Sequence, residues 1–151
     1  MKVSRYPSQA NITILAHGKR LQQVQSFKLL GHRLYEDGRC EKEIQCRIRT
    51  AKSAFNNFKK ILTYRKINLS LGMRLMKTLV WSGFLYCCET WTLTTSTIKR
   101  LQAFEMWCIR RILRVSWIAR KSNDEVLQVA NCHRILMTDI LQRQLRYFGH
   151  I

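Results

Sequence analysis

Acidic side chains are scarce. The chain carries 9 Asp and Glu against 27 Lys and Arg in 151 residues, a formal net charge of +18 at pH 7. Phosphoryl transfer by paired metal ions needs closely set carboxylates, and no Asp-Asp pair occurs anywhere. Proline is nearly absent, with Pro7 alone. That excludes a loop-rich secreted module and favours long uninterrupted helices. Long apolar runs are missing too. The most apolar stretch, Leu79 to Cys88, is about half of the roughly 20 residues a spanning helix needs. The opening MKVSRYPSQA lacks the apolar core of a signal peptide. Neither a spanning segment nor export is expected, so no membrane partner is expected either.

The six cysteines, Cys40, Cys46, Cys87, Cys88, Cys108 and Cys132, form no C-x-x-C pair. Reduced thiols in an intracellular protein are the expectation. A zinc site from Cys87, Cys88, Cys132 and His133 would use adjacent ligand pairs, which common zinc spacings do not. No metal ligand set and no cofactor is therefore expected. What is present is a 46% hydrophobic composition, too rich for a disordered polybasic tail. A chain of this length buries roughly 70% of its unfolded surface, enough for one domain with a small appendage. A surplus of this size repels itself unless an acidic partner neutralises it, and a nucleic-acid backbone is the usual neutraliser.

Residues 1–38 contain no acid before Glu36. Asn11 to Ala16 and Val24 to Leu34 read as two strands of a β-hairpin, with a turn at His17-Gly18-Lys19. Gly31 reads as a bulge or close approach, and Asp37-Gly38 as a closing turn. From residue 39 the period becomes helical. Ile44, Ile48, Ala51, Phe55, Phe58 and Leu62 form one stripe of a helix from Glu41 to Thr63. Its other side carries Lys42, Arg49, Lys52, Asn56, Lys59 and Lys60. Asn68 or Ser70 caps a second helix, Leu71 to Cys88, apolar around nearly its whole circumference and so expected at the centre. Thr95 or Ser96 begins a third, Ile98 to Val115, with Leu101, Phe104, Cys108, Ile109 and Ile112 inward. Ser122 or Asn123 caps a short fourth to Ala130, and a last helix runs from Ile135 to Phe148. The expected fold is mainly α: four or five packed helices over 39–151, with a small N-terminal β-hairpin over 1–38.

The third helix carries the chemistry. At 100° per residue Lys99, Arg100, Arg110, Arg111 and Arg114 fall on one arc around Trp107. Guanidinium groups grip phosphates and an indole stacks on bases, so this face suits a nucleic-acid groove. A solvated basic face, with the Trp capping an apolar edge, fits the same pattern. Glu105 points to the apolar side of that helix and needs a partner, such as an Arg of an adjacent helix. Glu89 in ETWTL is read the same way. His32, His133 and His150 stand isolated. No residue is assigned a catalytic role.

Six ordered blocks resemble one family. They are FKLLGHRLYEDGRCEKEI (27–44), AKSAFNNFKK (51–60), VWSGFLYCCETWTL (80–93), LQAFEMWCIRRILRVSW (101–117), SNDEVL (122–127) and RQLRYFGH (143–150). Together they resemble the C-terminal part of the endonuclease/reverse transcriptase of LINE-type, non-LTR retrotransposons. The resemblance implies that Phe27, Lys28, Leu30 and Gly31 match a primer-grip hairpin that ends the palm. It implies that the helices after it match the thumb that cradles an RNA–DNA duplex. Leu29 stands where that family usually has Tyr, His32 for Ser, Cys87-Cys88 for Gly-Ser or Gly-Cys, and Ile109 for Trp. The catalytic Asp-Asp strand, the fingers and the endonuclease have no counterpart here, and Mg²⁺ would belong to that missing palm. The resemblance thus implies a fragment that binds RNA or an RNA–DNA hybrid, or docks on the parent's palm and fingers, without being an enzyme itself. A helical protein-interaction module, or a non-functional remnant of a mobile element, is the alternative.

Overall fold

The computed structural model describes Val3 and residues 13–149. The chain is mainly helical with a small N-terminal antiparallel β part, as expected. It divides into two compact units, Met1–Gln45 and Cys46–Ile151.

The first unit holds two short hairpins where one was expected. Strand β1 (Leu15–Ala16) pairs with β2 (Lys19–Arg20), and β3 (Ser26–Leu29) pairs with β4 (His32–Tyr35). Asn11 and Ile12, expected in the first strand, lie outside the described residues. The expected single strand Val24–Leu34 folds back on itself, and Gly31 belongs to a turn rather than a bulge. Leu30 and Gly31 sit at φ 47° and 83° between the paired Leu29 and His32. Two consecutive positive φ values make the two-residue turn whose twist matches a hairpin. His17 and Gly18, at φ 50° and 74°, do the same between β1 and β2. Phe27 opposite Leu34 and Leu29 opposite His32 share one face of β3–β4; Ser26, Lys28, Arg33 and Tyr35 share the other.

Helix α1 (Glu41–Asn57) begins in this unit. Lys42 Nζ lies 3.8 Å from Asp37 Oδ2 and 5.2 Å from the Tyr35 ring, and His32 Nδ1 lies 3.6 Å from Glu43 Oε1. These contacts tie the first turn of α1 to β4 and the turn after it. The division between the two units falls within α1.

In the second unit α1 buries Ala51 and Phe55. It stops before Phe58, after Asn56-Asn57, whose side chains compete for backbone hydrogen bonds. One turn, α2 (Lys59–Leu62), follows, so the expected single helix to Thr63 is broken. Helix α3 (Leu69–Met76) starts at Asn68, whose Oδ1 accepts from the Leu71 amide at 2.8 Å. It passes through a π turn (Lys77–Trp81) into the short α4 (Ser82–Phe84). Thr78 and Ser82 hydroxyls donate to the carbonyls four residues back, at 3.0 and 2.6 Å. Such back-bonding loosens the regular ladder. Met76, Val80, Trp81, Phe84 and Leu85 are buried, but Leu71 and Tyr86 are exposed, so this segment is not enclosed all round. Cys87 at φ 60° ends it.

Helix α5 (Thr95–Ile112) is capped by Thr94, one residue before the expected cap. The Thr97 amide donates to Thr94 Oγ1 at 3.3 Å, and the Thr94 amide donates to Thr97 Oγ1 at 2.8 Å. Leu101, Phe104, Cys108, Ile109 and Ile112 are buried, as their spacing predicted. Phe84 packs against Phe104 and Trp91, with ring centroids 4.9 and 5.5 Å apart. Helix α6 (Asn123–Val129) has the expected Ser122 cap, answered by Glu125. The last helix, α7 (Leu136–Phe148), buries Leu136 and Ile140. Gln144 of α7 donates to the carbonyls of Cys88 and Trp91 at 3.3 and 2.9 Å, fastening that helix to the stretch between α4 and α5.

Candidate nucleic-acid interface

The C-terminal end of α5 creates the site. The Val115 amide donates to the Arg110 carbonyl at 2.9 Å and the Arg114 amide to the Arg111 carbonyl at 3.2 Å. That pair of bonds closes a helix with its next residue in the left-handed region, a place usually given to Gly. Here it is Arg114, at φ 57°. Arg114 is therefore not a further turn along the arc of Trp107, as a helix to Val115 would make it. Its Nε donates to the Thr63 carbonyl at 2.8 Å, and its Nη2 donates to the same oxygen. That oxygen is a helix-end acceptor of α2, so Arg114 closes α2 while turning α5 off.

Between the two helix ends lies a cleft of about 470 Å³, lined by Lys59, Thr63, Trp107, Arg110, Arg111, Arg114, Val115 and Ser116. Four of these are cationic and none is acidic. Sequence reasoning placed Trp107, Arg110, Arg111 and Arg114 together, and they do meet here. Lys99 and Arg100 are exposed near the start of α5 and do not line the cleft. Lys59 and Thr63 were not anticipated. Lys59 was legible on the polar side of its helix, but only packing brings that side to the end of α5.

The individual roles differ from one another. Arg110 is buried rather than open to solvent, at 4% exposure. Its Nη2 donates to the Lys121 carbonyl at 2.7 Å and to Asn123 Oδ1 at 3.0 Å. A buried guanidinium cannot reach a phosphate, so its place in a direct-contact set is corrected: it tethers the segment entering α6. Arg111 is exposed, its guanidinium 4.2 Å from the Trp107 ring centroid. Trp107 is half-buried, edge-on to Phe55 at 5.1 Å. The two hydroxyls of the cleft serve the backbone. Thr63 Oγ1 donates to the Lys59 carbonyl at 2.7 Å, and Ser116 Oγ accepts from the Ile118 amide at 3.2 Å.

Of the residues that the resemblance matched to a primer grip, Phe27 and Lys28 lie in strand β3 and Leu30 and Gly31 in the β3–β4 turn. Phe27 is 52% exposed and Leu30 83%. Glu105 is fully buried, and its expected Arg partner is replaced by backbone. Its Oε1 accepts from the Ile135 and Leu136 amides at 2.6 and 2.9 Å, capping α7 from across the core. Burial pushes this carboxyl up from its ordinary range, against the pull of both amides and of Arg134. Glu89 does have an Arg partner, with Oε1 3.7 Å from Arg143 Nη1. His133 is exposed, and His150 lies outside the described residues.

All six cysteines are free thiols. Among the described residues no group of three or more His, Cys, Asp or Glu is placed to hold a metal ion, and no helix is long and apolar enough to cross a membrane. No protein-family model, curated protein or solved structure matches this chain.

Proposed function

We propose that this chain binds nucleic acid through the cleft between α2 and the end of α5, as the thumb and primer-grip portion of a LINE-type reverse transcriptase would, and does not itself polymerise. The observation that carries the reading is a cleft ringed by Lys59, Arg110, Arg111 and Arg114 without one carboxylate. In a chain of net charge +18, this concave wall concentrates a positive potential that attracts a phosphodiester backbone. The order of the six sequence blocks supports the thumb-like role. RNA or an RNA–DNA hybrid is the proposed ligand, and the palm and fingers of a parent polymerase are the proposed protein partners.

Titration of an RNA–DNA hybrid and of RNA into the full chain tests this. Binding in the micromolar range or tighter at ~100 mM salt, weakening steeply as salt rises, is the expected outcome. No binding even at ~20 mM salt would remove the reading. Primer extension with Mg²⁺ or Mn²⁺ above a protein-free control would overturn the non-catalytic part.

A second reading, a protein-interaction module, rests on α7. Leu141, Leu145 and Phe148 stand at i, i+4 and i+7 and are 47%, 71% and 62% exposed. Such a stripe is an apolar helix face left uncovered among the described residues. Self-association that Leu145→Lys abolishes, with no nucleic-acid affinity, would favour it.

A further inference from the structure

Trp107 is already engaged by two aromatic rings and two cations. Phe55 meets it edge-on at 5.1 Å, and Phe104 lies nearly parallel to it, 6.3 Å away. Two cations also stand over its ring: the Arg111 guanidinium at 4.2 Å and the Lys52 ammonium at 5.2 Å from the centroid. An indole face attracts cations through its negative quadrupole. A base stacking on the face that Arg111 covers would have to displace that exposed cation. Lys52 comes from α1 and Arg111 from α5, so this one ring is where two helices bring their charges together.

The geometry further limits what the pair can do. Both heads lie within bonding reach of one ring, so they are closer than about one screening length at 0.1 M salt (~10 Å), and each feels the other's charge. Among the described residues neither has a carboxylate at ion-pair distance. Two like charges beside one ring, with no carboxylate at ion-pair distance, favour the approach of an anionic ligand.

We infer that Trp107 is a positioning residue: its indole holds Lys52 and Arg111 as a paired-cation seat for the phosphates of a nucleic-acid backbone, and bases are not read there. This rests on the nucleic-acid reading proposed above. Each cation that meets a phosphate displaces condensed counterions, which makes the seat visible in salt dependence. Stacking is not an ion exchange and leaves that dependence alone. The ligand class is thus a phosphodiester strand without regard to base identity.

The test measures binding of the full chain, at several salt concentrations, to a single strand and to the same backbone made abasic. The variants are Trp107→Ala, Trp107→Phe, Arg111→Gln and Lys52→Gln, each with its melting temperature recorded. Equal affinity for intact and abasic strands is expected. Arg111→Gln and Lys52→Gln should each reduce the slope of log K against log[salt] by about 0.7. Trp107→Ala should lower that slope too, on both strands alike, and Trp107→Phe, which keeps a ring face, should restore most of it. An intact strand bound tighter than the abasic one by about tenfold or more, as one stacked base supplies, with the preference erased by Trp107→Ala and the slope unchanged, would overturn the inference while leaving nucleic-acid binding in place. Failure to bind either strand at low salt would overturn both. Should Trp107→Ala not fold, Arg111→Gln and Lys52→Gln decide: unchanged slopes for both refute the seat, and reduced slopes on both strands support it.

Discussion

Removing the carboxylate of Glu105 tests how α7 is held. The residue before that helix, Ile135, has no capping side chain, so the opening amides depend on a carboxylate from the middle of α5. Glu105→Ala orphans the Ile135 and Leu136 amides beside a fully buried leucine. A buried donor without a partner costs about 1–3 kcal/mol. Release from the cost of burying a charge offsets part of the loss, leaving a net destabilisation of ~2–4 kcal/mol. In a domain of this size that is a fall of roughly 5–12 °C in melting temperature. Glu105→Gln keeps an oxygen facing both amides and should change stability at pH 5 by less than ~1 kcal/mol. The two variants therefore separate the acceptor from the charge. Burial raises the folded-state pKa above the ordinary 4.5. The folded state then holds the proton more tightly, so the contribution of Glu105 is full below pH 4.5 and is lost as pH rises through the raised value. The wild type should accordingly lose stability relative to Glu105→Gln as pH rises above 4.5, read as the difference between two urea unfolding series. A difference that stays flat with pH, or slopes the other way, would refute the buried-charge account. A harmless Glu105→Ala would refute the cap itself.

Thiol reactivity should rank with burial. Cys46 is exposed and should label first in the native protein at pH 8, whereas burial, helped by the Glu89 charge, pushes the Cys88 thiol up to about 11 and burial pushes Cys108 up as well. Rapid native labelling of Cys108 would contradict its place in the core, and all six should react once the chain is unfolded. Leu30 at φ 47° occupies a turn position that favours Asn, and a left-handed residue of its type costs about 1–2 kcal/mol. Because that side chain is exposed, Leu30→Asn should raise amide-exchange protection across β3–β4, and unchanged or reduced protection would count against the turn geometry. Lys59→Gln, at the cleft, should reduce the salt slope of nucleic-acid binding by about 0.7–0.9; Lys99→Gln, away from it, should reduce it less. Equal losses would mean that the whole basic surface, and not the cleft, carries binding.

How much of this was legible depends on the range of the interaction. The inward stripe of α5 and the Asn68 and Ser122 caps follow from contacts three or four residues apart, and the spacing predicts them. The β3–β4 hairpin is hidden in the sequence because Leu30 occupies a turn position usually marked by Asn or Gly, so Val24 to Leu34 looks like one strand. The alternation of Phe27, Leu29, His32 and Leu34 across Leu30-Gly31 was the signal that could have found it. The end of α5 is hidden for the same reason: its left-handed terminator is an arginine, Arg114. The need of Glu105 for a partner could be read from its place on the apolar side. The partner could not, because amides at Ile135 and Leu136 announce nothing in a side-chain pattern. Lys59 joined the cleft only through the docking of α2 against the end of α5.

The two arginines of the cleft that are fixed by hydrogen bonds show how a positive site can be both ordered and charged. The Arg114 donors go to the Thr63 carbonyl, and Arg110 donates to the Lys121 carbonyl and the Asn123 amide oxygen. These acceptors are neutral. They satisfy hydrogen-bonding demand and lock side-chain geometry without cancelling charge, which a carboxylate would do. Four of the five acids of this unit are used elsewhere: Glu105 caps α7, Glu125 answers Ser122, Glu89 faces Arg143 and Asp139 faces Lys77. Scarce carboxylates thus hold helix ends and helix pairs together, and carbonyls hold the cleft. In the proposed binding, Arg111 and Lys59 would meet a phosphate on a wall whose shape is already set, so less side-chain entropy would be lost.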